Sequence, residues 1–116
     1  MTEKSALHRH EYLDARSLAM HRLIAGKTHA NPELFDRVLP TIQRWKTMVS
    51  KRTLPHLEAW EELVKQGMEP CLIFATEDSE RARELRQSAP FSAILTTEER
   101  NAFMAAWRRD YGKRAA

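Results

Sequence analysis

The 116-residue chain holds a single cysteine and only three glycines, and no apolar run in it approaches the ~20 residues that a membrane span needs. A lone Cys71 excludes an intramolecular disulfide framework and a cysteine-based zinc site, and makes a reducing cytoplasm the expected compartment. The opening MTEKSALHRHEY is polar and lacks the apolar centre of a signal peptide. A cytoplasmic protein, neither secreted nor membrane-embedded, is the expectation. Gly26, Gly67 and Gly112 are too widely separated to build G-x-G-x-x-G or G-x-x-x-x-G-K-[ST], which excludes nucleotide binding through such loops. Internal repeats and low-complexity stretches are also missing. What is present is ordinary for one globular domain: 42% hydrophobic and 30% charged residues, with 19 Lys and Arg against 16 Asp and Glu. The formal charge of +3 is too small to mark a nucleic-acid binder by itself.

Apolar spacing predicts helices throughout. Leu13, Ser17, Met20 and Ile24 recur at steps of four, three and four, a buried stripe that predicts a helix from about Ser5 to Gly26. Asn31-Pro32 is a start signal, and Phe35, Val38, Leu39, Ile42, Trp45 and Val49 follow at helical spacing. Pro40 inside that run removes a backbone hydrogen bond and predicts either a kink or two short helices. Thr53 and Pro55 open a third helix with Leu57, Trp60 and Val64 on one face, and Glu58 or Glu61 facing Lys65 on the wet side. The apolar run CLIFAT is ambiguous between strand and helix. No other segment alternates with period two to pair with it, so a short buried helix is expected. In TEDSERARELRQS, Asp78 or Ser79 serves as cap, acids open the helix and arginines close it. Thr96 to Glu99 reads as a capping box opening a last helix with Phe103 and Trp107 on one face.

Each glycine falls where an apolar pattern stops, so all three are expected as C-terminal caps, with residues 112–116 a frayed basic tail. The expected fold class is all-α, a compact single-domain bundle of five to six helices over residues 1–116.

Catalytic motifs are few. His10 and His21 lie eleven residues apart, ~16 Å along a helix, and His8 and His10 point to different sides. No H-E-x-x-H or Cys/His cluster accompanies them, so no metal site is expected and exposed or partner-bonded histidines are. There is no G-x-S-x-G, and Cys71 in its apolar run reads as a buried, inert thiol. The adjacent pairs Glu61-Glu62, Glu77-Asp78 and Glu98-Glu99 read as solvated faces or helix starts. No catalytic residue and no cofactor is assigned.

Surface charge says more. From Arg37 to His56 there is no acid, and Arg37, Arg44 and Lys51 are spaced by seven. On a continuous helix they form one basic stripe. Arg108, Arg109, Lys113 and Arg114 make a second patch offset only by Asp110. Such patches suit a phosphate backbone or an acidic protein partner, and two plainly solvated faces explain them equally well. Trp45 and Trp60 occur at core spacing and read as core. A helix-turn-helix around Gly67 is disfavoured because CLIFAT is too apolar for a recognition helix.

The strings EYLDARSLAMHRLIAGK (Glu11 to Lys27) and SERARELRQSAPFSAILTTEER (Ser79 to Arg100) resemble the two signature blocks of a group of small bacterial helical proteins. Those blocks read ARSLAxHRxIA and LRQSSPFAGxLxxEER, with a Trp-containing helix between them. This chain departs from the second at positions that include Ala89 and Ser92, small-for-small changes. The resemblance covers most of the chain. It implies the small partner of a gene pair whose neighbour resembles a nucleotidyltransferase, an arrangement similar to toxin–antitoxin modules. Under that likeness Arg86, Gln87 and Phe91 are candidate partner-binding residues, with arginine and an aromatic supplying hot-spot chemistry. The alternative for Phe91, Ile94 and Leu95 is to cover the core, with Gln87 capping the preceding helix.

The expectation is therefore a non-enzymatic, antitoxin-like protein that binds and occludes a protein partner. The runner-up is a DNA- or RNA-binding regulator that uses Arg37, Arg44, Lys51 and the C-terminal basic residues.

Overall fold

Helical periodicity along the whole sequence becomes helix along nearly the whole chain in the computed structural model, which describes the backbone of residues 2–115 and the side chains of residues 9–111. The elements are α1 (Thr2–Ala30), a 3-10 helix (Pro32–Arg37), α2 (Val38–Lys46), α3 (Leu54–Gln66), α4 (Met68–Ala75), α5 (Glu80–Arg86) and α6 (Thr97–Ala115). No strand occurs among the described residues. The chain is an all-α single-domain bundle of six α-helices, within the expected range. By the rise of an α-helix, α1 alone is about 43 Å long. The longest dimension of the molecule is likewise 43 Å. The radius of gyration of 15.1 Å exceeds the about 13 Å of a typical domain of this length because α1 and α6 extend past the core.

The core lies among the later turns of α1, the 3-10 helix, α2, α3, α4, α5 and the linker before α6. Leu57, Trp60, Ile42 and Cys71 are fully buried there, joined by Leu85, Phe91 and Ile94. Trp60 is its centre. Its indole N–H donates to the Leu85 carbonyl at 2.9 Å, and its ring meets Phe74 and Phe91 edge-on at 5.7 and 5.3 Å. Trp45 is only half-buried and packs against this cluster from outside.

Local signals explain several boundaries. Ser79 caps α5, its hydroxyl accepting from the Ala82 N–H at 3.2 Å. Before α6, Thr96 N–H donates to the Glu99 carboxylate at 2.8 Å while Glu99 N–H donates to Thr96 Oγ1 at 3.0 Å, a reciprocal capping box. CLIFAT lies in α4 with Cys71, Leu72 and Ala75 buried. Pro40 divides its segment into the 3-10 helix and α2, where it occupies the first turn of α2.

The glycines require a correction. Only Gly67 ends a helix. At φ 124° and ψ 169° it is the single residue between α3 and α4, a conformation that side chains resist. Gly26 is interior to α1, on an exposed face where a Cβ would meet nothing within 4 Å. The helix stops instead at Asn31, because the residue before a proline disfavours helical geometry. Likewise α6 continues through Gly112 to Ala115, and the side chains of the expected frayed tail, residues 112–116, lie outside the described residues.

Candidate functional site

The expected buried stripe on α1 is only partly covered. Leu13, Ser17 and Met20 are half-buried, and with Ile24 they form one wall of a cavity of about 430 Å³. The opposite walls come from Trp45 of α2, Arg86 at the end of α5, the linker residues Gln87, Ser88, Ala89, Phe91 and Ser92, and Arg100 and Met104 of α6. The two sequence blocks thus meet in space. Lys27 holds them together, its ammonium donating to the Ile94 carbonyl at 2.7 Å and pairing with Glu99.

Three arginines, Arg16, Arg86 and Arg100, line this cavity, and no acidic residue does. Arg86 is 5% exposed. Its Nη1 donates to the carbonyls of Ala75 at 3.1 Å and Glu77 at 2.8 Å, whereas its buried Nε and Nη2 have no partner among the described residues. Burial pulls its pKa down, but a guanidinium keeps its charge. On its other side Arg86 lines a second cavity of about 300 Å³ with Glu11, Asp14, Asp78 and Arg83. His21 is equally buried, at 6% exposed. Its Nδ1 lies 2.7 Å from the Ser17 carbonyl, which assigns the proton to Nδ1 and leaves Nε2 an acceptor without a partner. Burial pushes its pKa down to about 4, so the ring is neutral at physiological pH.

These positions revise the sequence expectations. Phe91 is not a surface anchor: it is 2% exposed and packs edge-on against Trp60 and His21. Arg86 faces inward, because α5 is one short helix pressed against the core and its last turn tucks under the chain. Of the three candidates only Gln87 is exposed. The basic stripe does not form either. Arg37 ends the 3-10 helix and donates to the Ala93 carbonyl at 3.0 Å, Arg44 lies on α2, and Lys51 lies in the turns after it. Exposed Arg108 and Arg109 lie on α6, with Arg109 beside Asp110 at 3.6 Å.

Nothing local in the sequence brings Arg16, His21, Ser92 and Arg100 together. One trace was visible, a serine inside the apolar stripe with a histidine beside it. Elsewhere, His29 pairs with Glu69 at 2.7 Å and His56 with Glu84 at 3.3 Å, and no group of potential metal ligands occurs among the described residues. Burial pushes the Cys71 thiol up to about 12, so it is not a reactive thiolate.

A second feature lies where α1 and α6 meet. Tyr12 contacts Trp107 and Tyr111 edge-on at 6.1 and 4.5 Å, and Trp107 stacks with Phe103 and Tyr111 at 6.2 and 5.7 Å. Arg16 lies over the Tyr12 ring at 5.7 Å. All four aromatics are half-buried, and no described residue of α6 is fully buried.

Comparison with protein-family models, curated proteins and solved structures finds no match to this chain. No described helix is long and apolar enough to cross a membrane.

Proposed function

We propose that this chain is a non-enzymatic binding protein that docks on a protein partner, as the antitoxin-like member of a bacterial two-gene system, and acts by occluding that partner. The observation that carries the reading is the half-covered α1–α6 pair, with Tyr12, Phe103, Trp107 and Tyr111 clustered beside Arg16 and near Arg108 and Arg109. Tyrosine, tryptophan and arginine dominate the energetics of protein interfaces because each joins a large apolar area to a polar tip. The docking surface assigned from sequence to Arg86, Gln87 and Phe91 moves accordingly to this pair. The likeness of the two sequence blocks to small partners of nucleotidyltransferase-like proteins supports the same class of partner, in a cytoplasmic setting.

Co-expression of the tagged chain with the product of the neighbouring gene, followed by pull-down in both directions, tests the reading. Co-purification that is weakened by Trp107→Ala and by paired Arg108→Glu and Arg109→Glu is expected. No association in either direction overturns it.

A second reading, nucleic-acid binding, draws on the exposure of Arg44, Lys51 and Arg52 around the end of α2. Titration of duplex DNA at two salt concentrations separates the two, since a nucleic-acid binder weakens steeply as salt rises.

A further inference from the structure

The cavity between α1, α5 and α6 has features that the docking reading does not use. Its volume of about 430 Å³ falls within the ~300–1,000 Å³ of small-molecule sites. Arg16, Arg86 and Arg100 line it and no acidic residue does, while Asp14 and Asp78 act on Arg86 from the second cavity.

The orphaned atoms define the ligand more narrowly. Arg86 is anchored through Nη1, so its free Nε–Nη2 edge is the side-on fork that receives two oxygens of an oxyanion. Neutral His21 presents Nε2 as an acceptor that takes an O–H or N–H donor. A carboxylate offers oxygens to the fork but no proton to the imidazole. The monoanion of a phosphate monoester offers both, anionic oxygens and one P–O–H. The three orphaned atoms are closed to water, so the cost of desolvating them already lies in the unliganded fold, and a ligand oxygen reaches them once the Arg86 and His21 side chains turn toward the cavity. The remaining wall, Leu13, Met20, Trp45 and Met104, is apolar and suits a hydrocarbon or aromatic body.

We propose that this cavity binds a small phosphate monoester with an apolar or aromatic group, the phosphoryl oxygens held by Arg86, Arg16 and Arg100 and the body lying against Trp45 and the α1 stripe. The inference concerns a free small molecule and does not depend on a protein partner.

Isothermal titration of the purified full chain near pH 6 in low salt tests it, with phenyl phosphate, inorganic phosphate, benzoate and phenol as probes. Phenyl phosphate is expected to bind saturably, with inorganic phosphate and benzoate each at least about tenfold weaker, a difference of ~1.4 kcal/mol, and phenol not binding. Arg16→Gln and Arg100→Gln, which leave the Arg86 anchors intact, are expected to weaken phenyl phosphate about tenfold or more while circular dichroism shows an unchanged fold. No saturable binding of phenyl phosphate by about 10 mM overturns the proposal. Equal binding of benzoate overturns the phosphoryl assignment, and binding indifferent to both substitutions overturns the cavity as its place. The pull-down concerns the outer α1–α6 face, so either result leaves the other standing.

Discussion

Lys27 of α1 and Glu99 of α6 form an ion pair that ties the longest helix to the last one, and Lys27 also donates to the Ile94 carbonyl in the linker between α5 and α6. Glu99 additionally accepts from the Thr96 N–H, so Lys27 first and Thr96 second hold its carboxyl down to about 2. A carboxylate depressed in the folded state contributes stability above its ordinary value of 4.5, and that stability is lost as pH falls toward about 2. Glu99→Gln is therefore expected to lower the melting temperature at pH 7 and to differ little from the parent near pH 2. Lys27→Met is expected to lower it at pH 7 too and, because the bond to the Ile94 carbonyl is also lost, to remain below the parent near pH 2. Thermal melts followed by circular dichroism at the two pH values check both.

His21 titrates in a different window. Its pKa of about 4 in the fold, against 6.5 unfolded, means that the unfolded chain binds the extra proton first. Stability contributed by the neutral ring is fully present above pH 6.5 and declines as pH falls from 6.5 to about 4, by roughly 3 kcal/mol in all. Urea unfolding at steps across that range is expected to show the decline, and His21→Phe to remove most of its slope.

Trp60 is expected to tolerate no replacement. Phenylalanine there leaves the buried Leu85 carbonyl without its donor and opens space beside Phe74 and Phe91. The expected loss is about 2–4 kcal/mol in urea unfolding.

Alanine is expected to have opposite effects at two glycines. At Gly67 the nearest atom to a new Cβ is Pro70 Cδ at 3.7 Å, so space is ample, but φ 124° strains any side chain, and a loss of about 1–3 kcal/mol follows. At Gly26, interior to α1 and open to solvent, a gain of about 0.5–1 kcal/mol follows from the lower backbone entropy of the unfolded chain. Chemical denaturation of the two variants reads both signs.

Features set by neighbours in sequence were legible before the fold was known. The Ser79 cap, the Thr96–Glu99 box, the helical CLIFAT segment and the core position of Trp60 each depend on a few adjacent residues or on one helical face. Gly26 misled because an exposed glycine is tolerated inside a long helix, and the stop lies at Asn31-Pro32 instead. Arg86 and Phe91 misled for a different reason. Polar and turn-forming residues around them suggest surface, but α1 folds over this linker and buries both. The cavity itself has no local signature, since its arginines come from α1, α5 and α6 and its tryptophan from α2. A basic stripe at heptad spacing requires an uninterrupted helix, and α2 ends at Lys46.

The Lys27 to Glu99 closure spans 72 residues of sequence. Chains emerge from the ribosome N-terminus first, so α1 is made long before the residues that complete its pocket. Trp60 and its α2–α4 surroundings are synthesised before α6, whereas Arg100 and Met104 arrive near the end. Until then the Leu13 and Met20 side of α1 lacks its last wall, so a growing chain passes through a sticky interval that ends only when its last helix docks.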